Sequence, residues 1–134
     1  IEDYTEAIAL DPAYPQVFLN RALAFNDDAQ YDEALADIGT YLSFVPDDPT
    51  AIHLQGVVYV NMGEDERALS AFSTAIALDP LFSPPYYQRG LLYQVNGEPG
   101  LAIQDYLRFI EIETDPFSIL LAQQQLEALG YFDP

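Results

Sequence analysis

Ala7-Ile8-Ala9-Leu10-Asp11-Pro12 returns unchanged as Ala75-Ile76-Ala77-Leu78-Asp79-Pro80, an offset of 68 residues. Halved to 34, that offset produces columns that hold along the chain. Ala34, Ala68 and Ala102 share one column, and Ala22, Gly56 and Gly90 another. Phe25, Tyr59 and Tyr93 align, as do Tyr4, Ile38, Phe72 and Tyr106. Ala29, Gly63 and Gly97 mark a turn, while Pro12, Pro46 and Pro80 mark a stop. A fixed period of this length signals stacked units, each burying its apolar face against the next.

Inside a unit the apolar residues fall three and four apart, as in Leu69, Phe72, Ile76 and Ala68, Ala75, Leu78. That is helical periodicity rather than strand alternation. Small residues let antiparallel helices approach, aromatic ones fill the space between them, and Gly supplies a left-handed helix end. Pro cannot continue the preceding helix. A capping residue followed by Pro opens helices at Asp48-Pro49, Ser83-Pro84 and Asp115-Pro116. These signals predict helices over 1–10, 15–27, 31–44, 49–62, 65–78, 83–95, 99–113 and 116–129. The last carries Gln123, Gln124, Gln125 and Glu127 opposite Leu120, Leu121, Leu126 and Leu129, the pattern of a solubilising end cap. Gly130 closes it, with Tyr131 and Phe132 placed to fold back.

On these columns the chain resembles the tetratricopeptide repeat family. That family's pattern runs aromatic, Leu, Gly, Tyr on a first helix and Ala, Phe, Ala, Pro on a second. Residues 49–82 match best, through Ile52, Gly56, Tyr59, Ala68, Phe72, Ala75 and Pro80. Residues 15–48 match through Phe18, Ala22, Phe25, Ala34, Ile38 and Pro46, and residues 83–116 through Tyr86, Gly90, Tyr93, Ala102 and Tyr106. The resemblance implies an all-α fold, a right-handed α-solenoid of antiparallel helix pairs, in a single domain over 1–134. Residues 1–14 stand as the second helix of a truncated repeat, and 117–134 as a capping helix and tail. That half-repeat, exposing Ile1, Tyr4 and Ile8, reads as cut from a longer solenoid; cover by another chain is the alternative. Two departures stand out. The second small residue of the pattern, Ala7 and Ala75, is replaced by Tyr41 and Phe109 in alternate units, and Thr114 occupies the third stop. A bulky side chain in the small column should change the tilt onto the next helix.

Arg21 and Arg89 share a column where the family more often has Leu, and the middle unit has Gln55 there. Sixteen residues on, the same units carry Asp37 and Asp105, but the middle unit carries Ala71. Acid accompanies Arg and vanishes with it. In antiparallel pairs these columns face each other, so Arg21–Asp37 and Arg89–Asp105 are expected structural ion pairs rather than anion-binding groups.

There are 22 acidic residues against four arginines and no lysine, a net charge of −18. Nucleic acid and anionic membrane surfaces would be repelled, while basic partners would be drawn in. The same charge also serves solubility. Without cysteine there is neither a disulfide framework nor a thiolate metal site. No apolar run approaches a membrane span and no signal-peptide pattern opens the chain, so the compartment stays open, the cytoplasm slightly favoured. Catalysis and metal binding need convergent side chains. One histidine, His53, makes no zinc site, and no phosphate loop or nucleophile elbow appears. Asp28-Ala29-Gln30-Tyr31-Asp32 has Glu33 where a calcium loop needs Gly, and Gly39 in place of its bidentate acid. The chain is read as a non-enzyme requiring no cofactor.

The family resemblance implies a concave groove lined by the first helix of each repeat, where a peptide or helix of a partner lies. Carried onto this sequence, its positions include Leu19, Leu23, Asn26, His53, Val57, Val60, Tyr87, Leu91, Gln94 and Val95. Exposed apolar side chains at this density mark a contact surface. The expected ligand has apolar anchors and basic flanks. His53 at mid-groove is a hydrogen-bonding contact or a pH switch, and Tyr87 is the stronger anchor. Members of the family that hold a partner's terminal carboxylate do so with Lys, Arg and Asn from this surface; here there is no Lys, neither arginine column lies in the groove, and Asn20 alone matches. A different class of reading is self-assembly, with homo-oligomers forming through the open half-repeat or the solenoid ends.

Overall fold

The computed structural model describes residues 1–11 and 13–132. Among them there are eight α-helices and no strand: α1 (Glu2–Leu10), α2 (Pro15–Asp27), α3 (Tyr31–Phe44), α4 (Pro49–Asn61), α5 (Asp65–Leu78), α6 (Pro84–Val95), α7 (Pro99–Ile112) and α8 (Pro116–Ala128). The helices lie where periodicity and capping signals put them, to within a residue at either end. The stop expected at Pro12 lies outside the described residues.

The turns share one chemistry. Gly63 and Gly97 adopt φ +78°, and Gly130 φ +79°. Each turn is closed by a backbone bond across the helix end: Glu64 N–H to Tyr59 C=O at 2.9 Å, Glu98 to Tyr93 at 2.8 Å, Tyr131 to Leu126 at 2.9 Å. Ala29 makes the equivalent turn at φ +58°, with Gln30 N–H bonded to Phe25 C=O at 2.8 Å. At the helix starts, Asp48 accepts from Thr50 N–H and Asp115 from Ser118 N–H. Ser83 caps nothing. Its hydroxyl donates instead to Glu113 at 2.8 Å.

The chain groups into two compact units, Ile1–Ala71 and Phe72–Pro134. In the first, the core is Phe18, Leu19, Ala22, Ala34, Ile38, Tyr41, Ala51, Leu54 and Val58, drawn from α2, α3 and α4. α1 packs on α2 but buries no residue of its own. In the second, Tyr86, Phe109 and Ala122 form one cluster, and Ala102, Tyr106 and Leu126 another, joining α6, α7 and α8. The small column does what close approach requires: a Cβ on Gly90 would stand 2.8 Å from the buried ring of Tyr106. α8 turns Ala122 and Leu126 inward, whereas Leu120 and Leu121 stay exposed. Tyr131 folds back onto the α7–α8 cluster, while Phe132 remains outside it.

Candidate functional site: the faces of the first helices

The arginine column is bonded in three directions. Arg21 donates through Nε and Nη2 to the two oxygens of Asp37, both at 2.7 Å, a bidentate pair between α2 and α3. Its Nη1 reaches back to Thr5 of α1 at 3.3 Å, and the guanidinium lies 5.4 Å from the Phe25 ring centroid. Arg89 repeats the arrangement in the second unit: Asp105 at 2.8 Å twice, Ser73 at 3.1 Å, and the Tyr93 ring at 5.8 Å. The hydrogen bonds to the buried aspartates hold both guanidiniums charged against the cost of burial. The third partners, Thr5 and Ser73, escaped the sequence reading. They share a column too, sixteen residues before each arginine, with Gly39 at that place before Gln55.

In the first unit, Leu23 is 47% exposed on α2, and Val57 and Val60 are partly covered on α4. Asn61 donates to Asn26 at 3.0 Å, tying the ends of α2 and α4. Leu19 is not a surface residue. At 6% exposure it belongs to the core, because α2 packs on both α3 and α4 and its face toward α4 is consumed by that contact. Leu54 of α4 belongs to the same core. His53 is half-buried on α4, and that burial pushes its imidazole down from the ordinary 6.5 to about 4. It is therefore neutral at neutral pH.

In the second unit, Val95 is exposed at the end of α6, Leu91 packs on the α7–α8 cluster, and Gln94 accepts the Tyr106 hydroxyl at 2.7 Å. Tyr87 sits between two rings of α7, 5.7 Å from Tyr106 and 5.3 Å from Phe109, tilted by 56° and 51°. It lines a cleft of about 210 Å³ with Pro84, Gln88, Phe109, Glu113, Ser118 and Leu121. α6 and α8 form the walls, and Phe109 of α7 lies between them. The bulky residue in the small column thus becomes part of the cleft lining. Glu113 holds its negative charge firmly. Its Oε1 accepts from the Asp115 and Thr114 amides at 3.1 and 2.8 Å and its Oε2 from Ser83, which together keep the carboxyl below its usual range.

Tyr41, the other bulky substitution, reaches forward. Its hydroxyl donates to Asp48, the cap of α4, and that bond with burial pushes the phenol up to about 12. Of the ten carried-over groove positions, the second unit brings Tyr87 to a cleft whose Phe109, Glu113, Ser118 and Leu121 the sequence did not single out as contacts. No cluster of three metal-ligating side chains exists among the described residues, and none of the described helices is long and apolar enough to cross a membrane.

Comparison with known proteins agrees with this architecture. Residues 49–80 match the family described as tetratricopeptide repeat. A structure of MamA superimposes with a TM-score of 0.73 at 25% identity, covering 94% of this chain and 75% of that one. The first such domain of Spaghetti (RPAP3), solved with the HSP90 peptide SRMEEVD, gives 0.77 at 22% identity, over 87% of this chain and 90% of that one. SycD, a type III secretion translocator chaperone of Yersinia enterocolitica, gives 0.79 at 15% identity, over 86% and 82%.

Proposed function

We propose that this chain, whose residues 49–80 match the tetratricopeptide repeat family, is a non-catalytic protein-interaction module, holding a peptide or helix of a partner against its first helices. We read residues 1–134 as one such domain, with repeats at 15–48, 49–82 and 83–116 and the flanking pieces described above. The observation that carries the proposal is the Tyr87 cleft, an aromatic floor open to solvent between two helices. Leu23 and Val95 add exposed apolar surface on the same class of helix. The partner is a protein segment with apolar anchors and basic flanks, because a net charge of −18 repels nucleic acid and anionic membranes.

An acidic peptide like the HSP90 peptide SRMEEVD solved with the RPAP3 domain is not the expected ligand. Arg21 and Arg89 are committed to Asp37 and Asp105, and no lysine is available. Pull-down of partners by the intact chain, compared with Leu23→Asp and Tyr87→Ala, tests the assignment. Equal retention by all three proteins would show the surface to be wrong.

Self-assembly is the second reading, favoured by α1, which buries no residue and exposes Leu10. Light scattering over a concentration series separates the two, since a mass that stays monomeric throughout removes this one.

A further inference from the structure

The second unit's cleft has two chemical halves. Tyr87, Phe109 and Leu121 provide an apolar trough, and Glu113 places a fixed carboxylate at its edge. Three donors already hold that carboxylate charged and oriented, so it does not have to be ordered when a ligand arrives. No cation of the chain itself neutralises it. The four arginines pair with Asp37, Glu64, Asp105 and Glu111, and there is no lysine. Any cation that pairs with Glu113 therefore comes from outside the chain.

We propose that this cleft receives a single arginine or lysine side chain of the partner, its aliphatic stem against Tyr87, Phe109 and Leu121 and its cationic head on Glu113. Long basic side chains suit such a site because the stem is apolar and only the head needs a charged or aromatic neighbour. At about 210 Å³ the cleft has room for one long side chain rather than a helix face. Surrounding acid favours approach of a basic segment and disfavours an acidic one. This assignment rests on the interaction-module reading above and narrows it to one contact.

Calorimetry on the intact chain tests it with blocked heptapeptides Ala-Ala-Leu-Xaa-Leu-Ala-Ala, where Xaa is Arg, norleucine or Glu. The Arg peptide should bind about tenfold tighter than the norleucine peptide, the scale of one charge-assisted hydrogen bond, and the Glu peptide weakest. Glu113→Gln should erase that preference while leaving norleucine binding unchanged. Leu121→Lys, which puts the chain's own cation at the cleft, should exclude the Arg peptide; circular dichroism verifies that both variants fold. Equal affinity for the Arg and norleucine peptides, an Arg preference that survives Glu113→Gln, or no binding by any peptide overturns the proposal. If Arg and norleucine peptides bind equally and both weaken in Tyr87→Ala, only the cationic contact fails. If binding is indifferent to Tyr87→Ala as well, the groove assignment falls with it.

Discussion

Ala29 occupies a turn where its counterparts are Gly63 and Gly97, all with positive φ. An L side chain in that region crowds the following carbonyl at a cost of about 1–2 kcal/mol, which Gly avoids at the expense of a more flexible unfolded chain. Ala29→Gly should accordingly stabilise the protein by up to about 1 kcal/mol, visible as a higher urea midpoint with an unchanged slope. An unchanged or lowered midpoint would mean that the turn is unstrained. His53 is the other residue whose setting makes a measurable claim. Its folded pKa of about 4 lies below the ordinary 6.5, so the unfolded chain takes up the proton first. Stability is intact above pH 6.5 and is lost as pH falls from there toward 4. At about pH 5 the wild type should have lost about 2 kcal/mol more, relative to neutral pH, than His53→Gln. Parallel urea curves for the two proteins at both pH values would dismiss the effect.

Helix pairing is where the arginine columns act. Each guanidinium joins three helices: Arg21 binds α1, α2 and α3, and Arg89 binds α5, α6 and α7. Removing one partner of such a buried pair leaves an uncompensated charge, so Arg89→Leu should cost about 3 kcal/mol. Arg89→Leu/Asp105→Leu should recover a good part of that, because no charge is then stranded. Thermal melts of the two variants decide it, and no recovery in the double variant would mean that the pair is not what holds α6 to α7. The rigid approach of the same helices is a second test. Gly90→Ala should destabilise by about 1–3 kcal/mol, since its Cβ meets a Tyr106 ring that is itself fully buried and hydrogen-bonded to Gln94. A melting temperature equal to the wild type would indicate that the ring can move aside.

At the scale of the whole molecule, 22 acids against four arginines dominate. Self-repulsion weakens the folded state and is screened as the Debye length shortens from about 30 Å near 0.01 M salt to about 8 Å near 0.15 M. The melting temperature should therefore rise over that range of sodium chloride. Calorimetry that finds no rise would show the charge to be locally balanced.

The sequence by itself determined the helices, their turns and the Arg–Asp register. Each depends on residues near in sequence or on a strict period: Gly at a left-handed helix end, Pro at a first turn, acid sixteen residues after Arg. It also carried the small column, because a repeated Ala or Gly records a repeated close contact. Which apolar side chains remain at the surface was decided only in the tertiary structure. Leu19 and Leu23 lie one helical turn apart on α2, yet one is core and the other half exposed, since exposure depends on how deeply a neighbouring helix covers each position. The cleft around Tyr87 was hidden for the same reason. Phe109, Glu113, Ser118 and Leu121 are distant from Tyr87 in the chain, and only the packing of α7 on α6 and of α8 on α7 brings them together.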